Sequence, residues 1–279
     1  MEPIILDGKK YSMEIYEDLR IRSANIIKTK GFIPILATII VGDDFASQKY
    51  IKMKDKYCEL AGIKSKVVTL PNESTTETVV KIIKELNNDS EVTGILLQHP
   101  LPKHVNEQEC FNTISILKDV DGVNNLSFAR NAMNLESFGC ATPQGIMELL
   151  DKYQINVEGK VVVIIGRSAI LGKPLSMMML NKNATVIMCH SKTKNIKELT
   201  RQADILCVCI GKPKYVDETW VKEGVILIDA GYNANNLGDT DIDKIKEHTT
   251  AYTPVPGGVG PMTVATLIKQ TIVAAERIV

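Results

Sequence analysis

Tyr50 and Lys54 lie four residues apart in a stretch whose pattern is typical of a helix. Residues 46–61 contain no proline, and at about 100° per residue they place Lys54 away from the face with most of the other charged side chains. The stripe that contains Lys54 also contains Ser47, Tyr50, Ile51, Cys58 and Ala61. An ammonium on such a face loses hydration, so its pKa falls and it can transfer protons near neutral pH. The alternative is a lysine whose apolar stem covers the surface while its charged head reaches water.

Further candidate groups follow an apolar run and a short acidic motif. Gln98 and His99 lie where the strand predicted over 92–98 ends, at the edge where α/β proteins bind ligands. His99 by itself favours a structural role. Asp119 and Asp121 precede a glycine in a pattern that usually forms a turn.

A glycine-containing segment predicts a dinucleotide site. Gly166 ends the strand predicted over 160–166 and opens a helix, as in the turns that bind a pyrophosphate. The usual pattern has glycines at its first, third and sixth positions, whereas here the third is Ser168 and the last glycine, Gly172, is one place late. The pattern alone is therefore weak, and its strand-helix-strand context strengthens it.

The next strand, predicted over 184–190, indicates which dinucleotide binds. An NAD site usually has an acidic residue there for the ribose 2′-hydroxyl. Residues 189–194 offer Ser191 and lysines but no carboxylate, and Arg167 lies in the glycine turn. We therefore expect NADP, whose 2′-phosphate suits these groups, and a basic surface turn is the alternative.

The elements that must position these residues alternate between apolar strand-like runs and helical patterns, which is typical of parallel sheets in an α/β fold. We predict a first α/β domain over residues 1–140 and a Rossmann-like dinucleotide-binding domain over 141–262. Residues 254–263 hold too many prolines and glycines for regular structure, so we expect a shaped loop. Residues 263–279 have a 3.6-residue apolar pattern, and this closing helix is expected to complete the first domain. The strands are predicted over 35–42, 64–70, 92–98, 160–166, 184–190, 204–211 and 225–231.

The composition argues against several classes of protein. Lysine plus arginine and aspartate plus glutamate number 33 each, so there is no electrostatic footprint for nucleic acid or an anionic membrane. No window approaches ~20 uninterrupted apolar residues and the start has no signal-peptide pattern, so we expect a cytoplasmic protein. The six cysteines include no C-x-x-C pair and no paired histidine spacing, which predicts free thiols and no metal site.

Together these stretches resemble the methylenetetrahydrofolate dehydrogenase/methenyltetrahydrofolate cyclohydrolase family of the bacterial FolD type. The resemblance covers nearly the whole chain, in family order and at family spacing. It rests on the segments VGDDFASQKYIKMKDKYCELAGI, GILLQHPLP, KDVDG, GRSAILGKP, CHSKT and PVPGGVGPMT. The last of these, together with GRSAILGKP, is the most specific.

The resemblance implies an enzyme of one-carbon metabolism and purine biosynthesis that forms a homodimer through its cofactor domains and binds folate between its domains. It implies oxidation of 5,10-methylenetetrahydrofolate with NADP, followed by hydrolysis to 10-formyltetrahydrofolate. Lys54 would transfer protons, Gln98 would hydrogen-bond to it, Tyr50 would stack on the substrate and Asp121 would hold the pterin. The other implied substrate positions are Ser47 and Pro261, and the implied cofactor positions are Gly166, Arg167, Ser168, Ser191 and Tyr232.

The chain departs from the family pattern at three positions. The usual cysteine before the second domain is Ala141, an aromatic Tyr232 lies on the nicotinamide side, and Gln270 replaces an asparagine. None of these positions is part of the implied proton chemistry, although Tyr232 bears on how the nicotinamide is held.

Two other functions fit parts of the sequence. Tyr-x-x-x-Lys is also the catalytic pair of short-chain dehydrogenases, but their glycine loop precedes the pair, whereas here Gly166 lies far downstream of Lys54. A non-catalytic regulator that binds NADP or folate is the alternative from another class. The joint presence of Lys54, Gln98 and Asp121 argues against it.

Overall fold

The computed structural model describes residues 2–42 and 54–278 of the chain. Residues 54–60 are helical and are named α2 here, so Lys54 is a helical residue as predicted. The predicted site residues Ser47 and Tyr50 lie outside the described residues.

The chain divides into two compact units, each made of more than one segment. One comprises Met1–Ser12 and Thr142–Thr263, and it is named the six-stranded unit for its sheet. The other comprises Met13–Ala141 and Val264–Val279, and it is named the three-stranded unit. The α/β class with parallel sheets in two domains is therefore confirmed.

The three-stranded unit is built around β2 (Ile35–Val41), which pairs in parallel with β3 (Lys64–Leu70) on one edge and β4 (Gly94–Leu97) on the other. The central residues of β2 are buried and, except for Thr38, apolar, as is typical of a parallel strand covered on both faces. The helices of this unit include most of α1 (Gly8–Lys30), with α2, α3 (Thr76–Asn88), α4 (Glu107–Thr113) and α5 (Asn125–Ala132).

Six described strands form the second sheet, in the order β1, β9, β8, β7, β5, β6, with every neighbouring pair parallel. The central strands β5 and β7 are short and wholly apolar, and β8 is apolar up to Asp229, as is typical of a parallel sheet buried on both faces. The bounds are β1 (Ile4–Ile5), β5 (Val161–Ile165), β6 (Thr185–Cys189), β7 (Ile205–Val208), β8 (Val225–Asp229) and β9 (Thr249–Tyr252). The helices are α6 (Ala141–Lys152), α7 (Gly172–Asn181), α8 (Ile196–Thr200) and α9 (Ile242–Ile245).

Strands β1 and β9 were not among the predicted strands, and two further features differ from the sequence predictions. Residues 1–12 belong to the six-stranded unit, because β1 pairs with β9 through Ile4 and Ala251. The prediction of a loop over 254–263 is wrong for its second half, because helix α10 (Val259–Arg277) begins there. Pro261 fits in the first helical turn, where a backbone N–H has no partner within the helix.

The closing helix was predicted to complete the first domain, and this is confirmed: residues from Val264 onward belong to the three-stranded unit. Ile268 and Ile272 of α10 are fully buried. At its end Glu276 accepts two hydrogen bonds from the Arg22 guanidinium, at 2.9 and 2.7 Å. No helix within the described residues is long and apolar enough to cross a membrane.

Candidate active site

Lys54 is a buried lysine, with only 5% of its surface exposed. Its Nζ donates a hydrogen bond of 2.7 Å to Oε1 of Gln98. Burial of an ammonium without compensation is costly, so a polar partner is required at this position. The structure thus brings together two of the residues that the sequence singled out.

Gln98 follows the end of β4 and is held by hydrogen bonds from its backbone and from its side-chain amide. Its backbone N–H donates to the carbonyl of Ile39 on β2, at 2.9 Å. Its Nε2 donates to the carbonyl of His99, also at 2.9 Å, which leaves Oε1 turned to Lys54. Glu107 fixes the following turn, since its Oε1 lies 2.6 Å from His99 Nδ1 and accepts from the Leu101 N–H.

A second loop presents Asp121. The side chain of Asp119 is fully buried and accepts the backbone N–H groups of Val123 and Asn124, at 3.1 and 3.0 Å. These bonds fix the turn in which the half-buried Asp121 lies. The turn approaches β4 closely, since a Cβ added to Gly94 would lie 2.8 Å from Val120.

Burial and charge bring two groups of this site to titrate near neutrality. Burial lowers the pKa of Lys54 from 10.5 to about 8, although the Asp121 charge opposes this. Burial, followed by the charge of Asp119, raises the pKa of Asp121 from 3.8 to about 7. Groups whose pKa values lie so near neutral pH can gain and lose protons during a reaction cycle.

Gln270 of α10 fixes the Asp121 turn from behind. Its buried Nε2 donates to the carbonyls of Val120 and Gly139, at 2.7 and 2.9 Å, and its Oε1 accepts the Gly139 N–H at 3.1 Å. One amide therefore satisfies three backbone groups in two segments. The sequence marked Gln270 only as a departure from a family pattern, and it gave no signal of these contacts.

The predicted dinucleotide turn has the close approaches that its glycines suggest. Gly166 follows β5 with φ of +134°, and a Cβ there would lie 2.4 Å from the carbonyl oxygen of Cys209. A Cβ on Gly172 would lie 2.3 Å from the carbonyl oxygen of Gly166. The late glycine of the pattern thus lets α7 begin against the turn. Ser168 supports this start, because its Oγ accepts the Gly172 N–H at 3.4 Å.

The other predicted cofactor residues lie at the same carboxyl edge of the six-stranded sheet. Arg167 follows β5 and Ser191 follows β6, and these strands are neighbours with Ile165 opposite Cys189. Both side chains are exposed. Tyr232 follows β8, and 71% of it is exposed. Glycine turn, cation and hydroxyl groups at one edge fit a dinucleotide phosphate.

Pro261 lies in the first turn of α10 and is half-buried. Its predicted place beside a substrate stays a prediction, as do those of Ser47 and Tyr50. Within residues 2–42 and 54–278, no three histidine, cysteine, aspartate or glutamate side chains are grouped so as to hold a metal ion.

Two family models match the chain. Residues 6–121 match the tetrahydrofolate dehydrogenase/cyclohydrolase catalytic domain. Residues 140–279 match the NAD(P)-binding domain of the same family.

Individual relatives extend over the full length. The chain is 51% identical over 278 residues to the bifunctional protein FolD of Acidobacterium capsulatum, with 99% of each chain covered. It is similar to the crystal structure of FolD from Campylobacter jejuni, with 43% identity, 98% of each chain covered and a TM-score of 0.94. It is also similar to Trypanosoma brucei FolD in complex with NADP and an inhibitor, at 31% identity, 99% and 98% coverage and a TM-score of 0.94.

The contacts of Gln270 predict a large effect from a change of its amide. Gln270→Met keeps the length of the side chain but leaves three backbone groups of Val120 and Gly139 without this partner. Each buried unsatisfied group costs about 1–3 kcal/mol, so we expect the free energy of unfolding in urea to fall by about 2 kcal/mol or more.

Gln202→Met is the matched control, because Gln202 is exposed and its amide donates to a single carbonyl, that of Glu198. It should leave the free energy of unfolding unchanged. Equal unfolding curves for the two variants would show that the Gln270 amide does not hold the Asp121 turn.

Proposed function

Because the chain belongs to the tetrahydrofolate dehydrogenase/cyclohydrolase family, we propose that it oxidises 5,10-methylenetetrahydrofolate with NADP and hydrolyses the methenyl product to 10-formyltetrahydrofolate. The observation that supports this best is the hydrogen bond between the buried Lys54 and Gln98. It supplies a lysine whose pKa of about 8 suits proton transfer.

The oxidation needs alignment more than acid-base chemistry. A hydride leaves the methylene carbon between N5 and N10 of the folate, and the nicotinamide supplies the acceptor when bound. The central step transfers no proton, so the protein contributes chiefly by holding donor and acceptor in position. Removal of a single proton-transfer group should therefore affect this reaction less than the next.

The hydrolysis does move protons, and we assign them to Lys54. Water adds to the methenyl carbon with loss of a proton, and the hydroxyl group of the adduct loses a second proton as the carbonyl forms. N5 gains a proton as its bond to that carbon breaks, so that one proton is released overall. With a pKa of about 8, the Lys54 amine has an appreciable neutral fraction near pH 7.5 and can accept a proton and return it. Gln98 holds the amine in place through Oε1 and stabilises its charged form.

The remaining substrate residues are proposed from the family resemblance. Asp121 accepts hydrogen bonds from the pterin in its ionised form. Because its pKa is about 7, its protonated form is also populated near neutral pH and can donate one. Tyr50 stacks on the aminobenzoate ring. Ser47 and Pro261 border the folate.

The cofactor residues are proposed at the carboxyl edge of the six-stranded sheet. The backbone at Gly166 and Ser168, between the end of β5 and the start of α7, would hold the pyrophosphate. Arg167 and Ser191 would bind the 2′-phosphate, and no acidic side chain follows β6 to compete with it. Tyr232 would lie beside the nicotinamide.

The two alternatives fit the molecule less well. In a short-chain dehydrogenase the tyrosine and lysine belong to the Rossmann domain, whereas Lys54 belongs to the three-stranded unit and Gly166 to the six-stranded unit. A non-catalytic regulator would have no need for a buried lysine with a lowered pKa. Turnover of methylenetetrahydrofolate by the purified protein excludes the regulator.

Replacement of Lys54 should separate the two activities. Lys54→Met keeps the apolar stem and removes the nitrogen, so methenyl hydrolysis should fall by about 10²–10⁴-fold, the usual worth of general acid-base catalysis. The dehydrogenase should keep a larger share of its rate, so that methenyltetrahydrofolate accumulates. Both reactions are followed by the absorbance of the methenyl compound.

Lys56→Met is the matched control, since Lys56 is an exposed residue of the same helix. It should hydrolyse the methenyl compound at the unmodified rate. A folded Lys54→Met protein that hydrolysed it equally fast would remove Lys54 from the mechanism.

The choice of cofactor can be tested at the 2′-phosphate. Loss of a charge-assisted hydrogen bond costs about 1.5–3 kcal/mol, so Arg167→Ala should raise KM for NADP by about tenfold or more and hardly change KM for NAD. Ser191→Asp should do the same by repulsion. Arg201→Ala, at an exposed arginine that contacts Thr219, should change neither constant. Equal effects on both cofactors would count against the proposed phosphate site.

We also propose a homodimer formed through the cofactor-binding units. Its support is β6, a terminal strand of the described sheet, whose residues Val186, Ile187 and Met188 are only half-buried. An edge strand of this kind offers unpaired backbone groups and apolar surface to a second copy. The opposite edge, β1, has only two residues.

A charge on this edge should weaken the dimer. In sedimentation at micromolar concentration the unmodified chain should be dimeric, and Val186→Lys should shift it to monomer. Ile4→Lys on β1 is the control and should remain dimeric. A monomer for the unmodified chain would refute the dimer.

The cellular setting is proposed from the resemblance as well. We place the protein in the cytoplasm, with no nucleic-acid or membrane partner, and assign its formyl product to purine biosynthesis. Cell fractionation and the purine requirement of a strain without the gene test these two statements.

A further inference from the structure

Asp239 is a fully buried aspartate of the six-stranded unit that the chemistry above does not use. Its carboxylate accepts hydrogen bonds from two different loops. Oδ2 accepts the backbone N–H groups of Ile210 and Gly211, at 2.6 and 2.9 Å. Oδ1 accepts the Lys212 N–H at 2.8 Å and Nδ2 of Asn233 at 3.0 Å.

Three successive N–H groups that point at one anion form a backbone nest. The turn depends on Gly211, whose φ of +64° favours glycine. Nests of this kind often bind phosphate, but here the chain's own carboxylate fills the concavity. The loop after β7 is therefore held by Asp239 and is not itself an anion site.

Both loops lie at the edge of the sheet where a dinucleotide binds. The loop at 210–212 follows β7, and Asn233 follows β8, next to Tyr232. The first loop also touches the glycine turn, because the carbonyl oxygen of Cys209 occupies the space where a Cβ of Gly166 would lie. Movement of the loop after β7 would therefore displace the Gly166 turn, where the pyrophosphate is proposed to bind.

A second carboxylate holds Asp239 itself. Asp229, at the end of β8, accepts the N–H groups of Gly231 and Asp239 through Oδ1, at 2.8 and 3.0 Å. Its Oδ2 accepts the N–H and the hydroxyl of Thr240, at 2.9 and 2.7 Å. The fit is close, since a Cβ added to Gly231 would lie 2.4 Å from Asp239 Cγ.

We propose that Asp239 is a positioning residue of the NADP site. It fixes the backbone at 210–212 and the loop that contains Tyr232, and through Cys209 it supports the Gly166 turn, without contacting the cofactor. Fixed loops lower the entropic cost of binding, so the effect is on cofactor affinity. The inference rests on the cofactor site given under the proposed function.

The two activities of the full-length chain provide the test, because hydrolysis of the methenyl compound uses no cofactor. Asp239→Asn keeps the shape but turns an amide N–H toward backbone N–H groups. We expect Kd and KM for NADP to rise by about tenfold or more. The rate of methenyl hydrolysis should stay unchanged.

Asp204→Asn is the matched control. Asp204 belongs to the same sheet but lies at its amino edge, where its carboxylate accepts the Val161 N–H at 2.8 Å and pairs with Lys222. This variant should bind NADP as the unmodified chain does. Gly231→Ala is a second perturbation, since its methyl group would displace the Asp239 carboxylate, and it should weaken NADP binding without affecting hydrolysis.

The outcomes separate the proposals. Unchanged NADP binding by Asp239→Asn overturns the positioning role, and so does a parallel fall in both activities or an equal effect of Asp204→Asn. Failure of the unmodified chain to bind NADP would overturn the cofactor site together with this inference. A selective loss of NADP affinity in Asp239→Asn and Gly231→Ala supports it.

Discussion

Burial of the Lys54 ammonium requires a hydrogen-bond partner, and the hydrogen bond to the Gln98 side chain meets this requirement. The rest of the site holds these two side chains in place. A lysine with 5% exposure needs a polar partner, and Gln98 supplies it at 2.7 Å. The partner must itself be fixed, which the pairing of β4 with β2 and the Glu107 contact to His99 achieve. The local fold thus holds one desolvated amine whose pKa lies close to neutral pH.

The two units share one way of fixing a loop that carries proposed functional residues. In each, a buried aspartate fixes a loop that presents proposed functional residues, by accepting backbone N–H groups close together in sequence. Asp119 does so before Asp121, and Asp239 does so at the loop after β7. Such bonds are stronger than those between neutral groups and leave few alternative loop conformations. Rigid loops of this kind give precise positions to residues that lie outside regular structure.

Much of the fold could be predicted from the sequence, because parallel strands buried on both faces appear as unbroken apolar runs. The strand over 64–70 was predicted with its observed ends. Position made Lys54 and Gln98 candidates, and the family resemblance supplied their roles. The closing helix was recognised by its 3.6-residue pattern. Its start was missed because Pro261 was taken for a loop residue, although proline suits a first helical turn.

The contacts that could not be predicted join residues far apart in the sequence. β1 has two residues and no pattern of its own, and it exists because Ile4 and Ile5 pair with β9. Gln270 and Asp239 belong to no sequence motif that marks a contact. Their roles are visible only in the folded chain, where their side chains bind backbone groups of distant segments. Local periodicity carries no information on such pairings.

The central claim is that Lys54 has a pKa far below that of a surface lysine, and its titration by NMR tests this most directly. The side-chain ε-carbon signal of ¹³C-labelled lysine is followed against pH and assigned by its loss in a variant without Lys54. Burial predicts a midpoint near the value of about 8, so that the amine is mostly charged below that pH and mostly neutral above it. A midpoint at the ordinary value of 10.5 would contradict the account, because a fully charged Lys54 could not accept a proton near neutrality.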